Sequence, residues 1–353
     1  MTSKEYTKRL AVLEGALERV FPSSTSLAWA RSVAGQDDLP LKPATLDRIN
    51  APGWELLSRG GKRWRPLVLV LSHDLHGGDL EGIDDLSALV ELPHNGSLIV
   101  DDIEDKADQR RGGPAIHLVH GVDMAINTGN FLYYEPTFLI DQLPLPETDR
   151  YRMTKYYLRV MRRLHFGQGL DIVWHNDHDY LPDRGEYLQM CRFKTGALSR
   201  LAAEVGAVAA RADDHRVEAI GSLWEDIGVG FQILDDVKNL VAGNPGKMRG
   251  DDIVEGKKSL PVLIHGELSS DRGATLLALF RRVTAAHAAG APYQNLIDEA
   301  IGLMEASGAL GAASEAGGAL LGGAVARLRR DWPAGPARDG MEDLVDTFWE
   351  GLK

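Results

Sequence analysis

Apolar residues recur at three- and four-residue spacing along almost the whole of this 353-residue chain, which is the period of one face of an α-helix and not of a strand. Leu10, Leu13, Leu17 and Val20 form one such stripe. Tyr157, Val160, Met161 and Leu164 form another, beginning after Pro146-Glu-Thr148 and continuing toward Trp174, and a third runs from Phe193 through Leu201, Val205 and Val208. The same spacing predicts helices over 45–58, 66–76, 83–106, 122–141, 184–210, 213–241, 259–287, 293–307, 309–331 and 338–351. No run of β-branched alternation, and no hairpin turn between two such runs, competes with this reading. The expected fold class is all-α. Length alone suggests two domains, but the turn-rich stretches (77–79, 108–114, 143–146 and 242–250) are too short to be linkers. A single all-α domain over 1–353 is therefore expected. The Gly- and Ala-rich stretch 308–326 carries no Gly-Lys-Ser/Thr and reads as close helix packing or a floppy surface helix, not as a phosphate loop.

Charge narrows the function. Asp and Glu number 51 against 39 Lys and Arg, a formal net charge of −12. That balance disfavours nucleic acid as a partner, since such binding needs a basic footprint, and it permits an acidic site loaded with cations. The single cysteine, Cys191, excludes an intramolecular disulfide and a cysteine-built zinc site, so a cytoplasmic location is expected. The charged N-terminus lacks the apolar core of a signal peptide. Uncharged stretches such as 124–134 and 316–326 fall short of the roughly 18–20 apolar residues of a membrane span, so no stable membrane insertion is expected.

Two acidic clusters stand out. In Asp101-Asp-Ile-Glu-Asp105, Asp101 and Asp105 project from one face of a helix with Asp102 beside them. Like charges at that spacing destabilise a helix by a few tenths of a kcal/mol unless a cation binds them. Phe231-Gln-Ile-Leu-Asp235-Asp-Val-Lys-Asn239 repeats the pattern, with Asn239 as the oxygen ligand four residues on. Magnesium takes oxygen ligands, typically one or two carboxylates plus substrate phosphates, and no histidine-rich or thiolate set accompanies the aspartates to favour zinc or iron. Basic residues cluster near both: Gly60-Gly-Lys62-Arg63-Trp64-Arg65, Arg110-Arg111, Lys194-Thr195-Gly196, Lys247 and Lys257. Arginine forks and lysine ammonium groups are phosphate ligands.

From about residue 55 to 265 the chain resembles the trans-isoprenyl diphosphate synthases. His94-Asn-Gly-Ser-Leu-Ile-Val-Asp101-Asp-Ile-Glu-Asp105, followed by Arg110-Arg111-Gly-Gly-Pro114, resembles the family's first aspartate-rich motif. Phe231-Gln232 and Asp235-Asp236, followed by Gly246-Lys247 and Gly250-Asp-Asp-Ile-Val-Glu-Gly-Lys257, resemble the second. His94-Asn95, the four-spaced first motif, Gly167-Gln-Gly-Leu-Asp-Ile172 and Asn239 are closest to the eukaryotic-type geranylgeranyl diphosphate synthases. The resemblance implies a single large helical bundle around a central cavity, the isoprenoid synthase fold. It implies head-to-tail condensation of isopentenyl diphosphate with an allylic diphosphate, three Mg2+ ions per active site when diphosphate is bound, and a homodimer. By position, Asp101, Asp105 and Asp235 would hold magnesium, with Asp102 as a further ligand and Asp236 in support. Arg110, Lys194, Lys247 and Lys257 would clamp the allylic diphosphate. Lys62, Arg65, His94 and Arg111 would bind isopentenyl diphosphate, Thr195 and Gln232 would face the cation, and Gly196 would allow a helix break. Cys191 reads as inert packing.

The rival readings are a class I terpene cyclase, which ionises one substrate and needs no isopentenyl diphosphate site, and a non-catalytic subunit that modulates a partner. Lys62, Arg65 and His94 favour condensation. For chain length, Ser97, Gly96 and Pro93 lie one and two turns before Asp101 and are all too small to stop a growing tail. The stop is expected from the aromatic cluster Phe131, Tyr133 and Tyr134, giving a C20 product with C25 or longer as the alternative.

Overall fold

Helices form where the apolar period places them. In the structure, a computed structural model describing residues 3–177, 179–243 and 248–350, the first eight are α1 (Ser3–Val20), α2 (Leu27–Ala34), α3 (Pro43–Ser58), α4 (Trp64–Leu75), α5 (Ala88–Glu104), α6 (Ile116–His120), α7 (Val122–Tyr134) and α8 (Phe138–Gln142). The long α9 (Glu147–Asn176) is followed by α10 (Arg184–Cys191), α11 (Ala197–Ala209), α12 (Asp214–Val241), α13 (Asp251–Val254) and α14 (Leu260–Glu267). The chain then runs through α15 (Ser270–Ala288), α16 (Gln294–Ala306), α17 (Ala309–Asp331) and α18 (Pro336–Glu350). Among the described residues the only strands are β1 (Gln109–Arg110) and β2 (Gly113–Pro114), a two-residue antiparallel pair.

The departures from the sequence reading have local causes. The span 122–141 divides because Pro136 lacks an amide donor, and a 3-10 turn at Glu135–Thr137 separates α7 from α8. The span 259–287 divides where the Ser269 side chain accepts from the Arg272 amide and starts a new helix. Helix α2 escapes the periodicity because it is only 8 residues long; it is set by its ends, where Ser26 accepts from the Trp29 amide and Gly35 takes the left-handed conformation.

The chain divides into two compact units, each assembled from several stretches. Unit 1 comprises Met1–Met161, Leu198–Ser222 and Trp332–Met341; unit 2 comprises Arg162–Ala197, Leu223–Asp331 and Glu342–Lys353. In unit 1 the core gathers Leu17, Phe21, Leu56, Leu92, Ile99 and Leu132. There α5 and α7 touch backbone to backbone: a Cβ on Gly96 would lie 2.6 Å from the Gly129 carbonyl oxygen. In unit 2, Trp174, Tyr187, Val229, Ile233, Leu263 and Phe280 belong to one buried cluster.

Of the two helical readings of the Gly- and Ala-rich stretch, the structure has the packed one. Gly317 of α17 sits where a Cβ would meet Leu234 at 2.9 Å, and Gly230 of α12 sits 2.9 Å in the same sense from the Gly317 carbonyl. By length and composition α17 is long and apolar enough to cross a membrane, which the shorter uncharged stretch 316–326 does not reveal. Yet Leu310, Ala313, Leu321, Ala324 and Leu328 on this helix are buried within the protein.

Candidate active site

In unit 1 the basic turn before α4 is held by Arg63. Its residue takes a positive φ of 46°, and its guanidinium reaches Glu91 at 2.5 Å, Glu14 at 2.8 Å and the Leu57 carbonyl at 2.6 Å. Arg65, the second residue of α4, has its guanidinium 4.3 Å from the centre of the Trp64 ring. Arg65 is only 8% exposed, and its Nε is buried with no hydrogen-bond acceptor. Burial, then the charge of Arg111, pulls the guanidinium down to about 10, which leaves it cationic at pH 7. A buried cation lacking an acceptor is costly unless an anion arrives.

The other cations of this unit gather around the same place. Arg111 donates from Nη1 to Asn95 Oδ1 at 2.9 Å, and buried Asn95 in turn donates to the Glu91 carbonyl at 2.7 Å. Gly61 leaves room for the guanidinium, since a Cβ there would lie 3.2 Å from Arg111 Nη2. Burial, then the charges of Arg65, Arg111, Arg63 and Arg110, hold His94 well below the ordinary histidine value, so its ring is neutral at pH 7. Lys62 is exposed at the tip of the turn. All four residues expected to bind isopentenyl diphosphate therefore lie in one unit, three of them in one electrostatic cluster. The supporting residues Glu91 and Asn95 were not assigned a role from sequence; Glu91 stands one turn before Asn95 on α5, a spacing that could have paired them.

His94 and Asp101 are seven residues apart on α5, so they share a face about 10 Å apart along the axis. Asp101 and Asp105 end the helix, where the backbone dipole and each other's charge both disfavour carboxylates. Asp102 divides its two oxygens: Oδ1 is held by Arg110, while Oδ2 is buried without a hydrogen-bond partner. It is fully buried, and its Oδ1 accepts from Arg110 Nε at 2.8 Å and Nη2 at 2.5 Å. Burial raises its pKa in spite of that pairing. Its geometry makes it the anchor of Arg110, which stands 3.6 Å from Asp101. Arg59 fixes the loop behind, donating to the Arg110 carbonyl at 2.9 Å and the Pro114 carbonyl at 2.8 Å.

In unit 2 the Lys194-Thr195-Gly196 segment does not break its helix as expected. Residues Arg192–Gly196 form one π-helical turn between α10 and α11, a feature frequent at functional sites. Gly167 admits that turn, since a Cβ there would lie 2.4 Å from the Lys194 amide nitrogen. Gly196 serves close packing: a Cβ would lie 2.9 Å from the Glu225 carbonyl of α12. Lys194 Nζ pairs with Asp171 at 2.5 Å, a partner that the Gly167–Ile172 run contained but that had no assigned role. The Thr195 hydroxyl donates to Gln232 Oε1 at 2.6 Å, and Gln232 Nε2 donates to Asp236 Oδ1 at 2.7 Å. Asp236 is buried and is pushed up to about 7 by burial and the Asp252 charge, against the hydrogen bonds it accepts. Asp235 beside it is half-buried. Lys257 Nζ lies 2.5 Å from Glu255 and 3.7 Å from Asp252. Lys247 lies outside the described residues. Cys191 is buried, its thiol pushed well up chiefly by burial, consistent with packing.

Asn239, expected as the oxygen ligand that ends the second motif, is a buried residue of α12. It is 1% exposed, and its Oδ1 accepts from the Asp252 backbone amide at 3.3 Å. From spacing alone, Asn239→Asp should be tolerated, because it restores a carboxylate. The structure reverses that expectation: the substitution buries another carboxylate on the helix that carries Asp236 and against Asp252. It should lower stability by about 2 kcal/mol or more, measurable by denaturant unfolding.

Among the described residues no three His, Cys, Asp or Glu groups form a ready-made metal cage. That fits magnesium, which binds through one or two carboxylates together with substrate phosphates and water. Asp101 with Asp105 in unit 1, and Asp235 in unit 2, offer oxygen donors only.

Comparison with known proteins agrees with this geometry. Residues 47–292 match the polyprenyl synthetase family. A short chain isoprenyl diphosphate synthase of Methanocaldococcus jannaschii is 36% identical over 237 residues, covering 66% of this chain and 71% of that protein. A geranylgeranyl pyrophosphate synthase of Eremothecium gossypii is 35% identical over 222 residues, covering 62% and 69%. The crystal structure of geranylgeranyl pyrophosphate synthetase from Pyrococcus horikoshii superposes with a TM-score of 0.82 at 26% identity over 98% of each chain. With its two aspartate motifs, its anion-seeking arginines and its helical architecture, the chain belongs to the polyprenyl synthetase family and is a trans-prenyltransferase of the all-α isoprenoid synthase fold.

Proposed function

We propose that this prenyltransferase joins isopentenyl diphosphate head to tail to an allylic diphosphate and releases geranylgeranyl diphosphate, C20. The observation that carries the reading is the pairing, on one face of α5, of a carboxylate site at Asp101 with an anion site at His94, Arg65 and Arg111. A cyclase acting on one diphosphate has no need of the second. Arg65, Arg111, Lys62 and neutral His94 hold the nucleophilic substrate by its diphosphate, which fixes its double bond in line for attack. Asp101 and Asp105, and in the other unit Asp235, hold magnesium, three ions in all. When bound, the metal supplies Lewis acidity to the departing diphosphate oxygens. Lys194 and Lys257 add fixed positive charge for the anion that develops. Thr195 and Gln232 present oxygens to the allylic cation.

Chain length rests on Tyr133 more than on its neighbours. Tyr133 is buried, whereas Tyr134 is 63% exposed. Gly96, which the sequence places beside the tail, is instead covered by Gly129 and Leu132 of α7. The homodimer belongs to the same proposal, supported by exposed Val122, Ile126 and Tyr134 on one face of α7 and exposed Tyr151 and Leu158 on α9. The two units are taken to act as one domain, since α9, α12 and α18 each contribute residues to both. A cytoplasmic location without membrane insertion completes the reading.

Lys62→Ala and His94→Ala test the division into two diphosphate sites. Each removes a hydrogen bond to a charged group, about 1.5–3 kcal/mol, so the KM for isopentenyl diphosphate should rise about tenfold or more with the KM for the allylic primer within about twofold. Equal weakening of both substrates in steady-state kinetics would contradict the division.

A further inference from the structure

Tyr187 lies outside every motif that identifies the family reading, yet it is fully buried and its hydroxyl donates to Asp236 Oδ2 at 2.7 Å. Gln232 takes the other oxygen of that carboxylate, Oδ1, at 2.7 Å, and Thr195 holds Gln232 at 2.6 Å. The connections close a ring. Tyr187 and Thr195 lie eight residues apart on a continuous helical stretch, α10 and the π-turn that follows it. Gln232 and Asp236 lie one turn apart on α12. Tyr187 reaches Asp236 and Thr195 reaches Gln232, so α10 and the π-turn both hold the same turn of α12. Both carboxylate oxygens of Asp236 are thereby occupied by protein donors, and its orientation next to Asp235 is set from two sides.

We propose that Tyr187 is a positioning residue for the second acidic motif: through Asp236 it fixes the helical turn that presents Asp235 to magnesium and couples that turn to the Lys194-Thr195 π-turn. The proposal rests on the metal and diphosphate roles given above for Asp235 and Lys194. Loss of the phenol hydroxyl leaves one buried carboxylate oxygen without a donor, so Asp236 turns to find another and Asp235 loses its fixed bearing. The aromatic ring, which fills the core, is untouched by Tyr187→Phe.

The test is calorimetric titration of the full-length protein with inorganic diphosphate at several magnesium concentrations, alongside thermal unfolding without metal. In Tyr187→Phe, magnesium-dependent diphosphate binding should weaken about tenfold while binding of isopentenyl diphosphate stays within twofold. Asp236→Asn, which keeps the shape of the side chain, should weaken magnesium-dependent binding comparably. In the double variant the two losses should not add, because both act through one carboxylate. Unchanged magnesium-dependent binding in either single variant, or full additivity in the double, would overturn the inference while leaving the enzyme reading intact. Failure of the wild-type protein to bind diphosphate with magnesium would overturn the enzyme reading itself, and the inference with it.

Discussion

Asp101→Ala and Asp235→Ala should each reduce turnover by on the order of a thousandfold while the helical fold survives. A metal ion acting as Lewis acid contributes several kcal/mol to charge stabilisation in a transition state, and each 1.36 kcal/mol is a factor of ten in rate. The fold should persist because both side chains are half-buried and not enclosed in the apolar core. Asp101 is half-buried near the C-terminal end of α5, where its charge opposes the helix dipole and repels Asp105. Its removal relieves that repulsion and gives up the 3.6 Å pair with Arg110, so the unfolding temperature should change little. Asp235 stands beside buried Asp236, whose carboxyl it pushes further up, so its loss also relieves repulsion. Activity near wild type at saturating magnesium, with the helical circular dichroism intact, would remove the metal assignment from the residue concerned.

Gly206→Ala should be the most damaging small substitution in unit 1. A Cβ at Gly206 would lie 2.1 Å from the Leu69 carbonyl oxygen and 2.9 Å from the His73 amide nitrogen. These are backbone atoms in the middle of α4, so no side-chain rotation relieves the clash; α4 and α11 must move apart. Overpacking of this kind costs about 1–3 kcal/mol, occasionally more, and exceeds the roughly 1 kcal/mol by which alanine favours an isolated helix over glycine. Because α4 also carries Arg65, the displacement should raise the KM for isopentenyl diphosphate as well as lower the denaturant midpoint. A variant as stable as wild type would show that the α4–α11 contact is looser than this spacing.

Much of this was legible in the residues alone. Long amphipathic stretches such as 309–331 and 213–241 were readable almost to their ends, because a buried helical face must repeat apolar residues at its own period. Asp101, Asp105 and Asp235 drew notice as candidates because a second acid cluster repeats the spacing of the first; one cluster alone reads as a solvated helix end. What period and spacing could not supply was the third dimension of each cluster. Asp102 and Asn239 carry oxygen donors, and only packing shows that both side chains are buried, with one oxygen of Asp102 held by Arg110 and the Asn239 oxygen accepting from the Asp252 amide. Gly96 leaves the space into which the Gly129 backbone of α7 packs, a contact that spacing along α5 does not reveal. The π-turn at 192–196 leaves no mark in composition, since it changes register without changing residue type. The partners Asp171, Asn95 and Tyr187 are distant in sequence from the groups they hold or stand outside any acidic or basic run, so only packing reveals them.

Two substrates on two diphosphate sites form the core of this account, and product analysis tests it most directly. The protein is incubated with magnesium, isopentenyl diphosphate and a C5, C10 or C15 allylic diphosphate, and the dephosphorylated products are separated by chromatography. Linear prenyl alcohols are expected, whose growth depends on isopentenyl diphosphate and ends at C20 from every primer accepted. A cyclic hydrocarbon or alcohol formed from the allylic diphosphate alone, with no elongation when isopentenyl diphosphate is added, would contradict it.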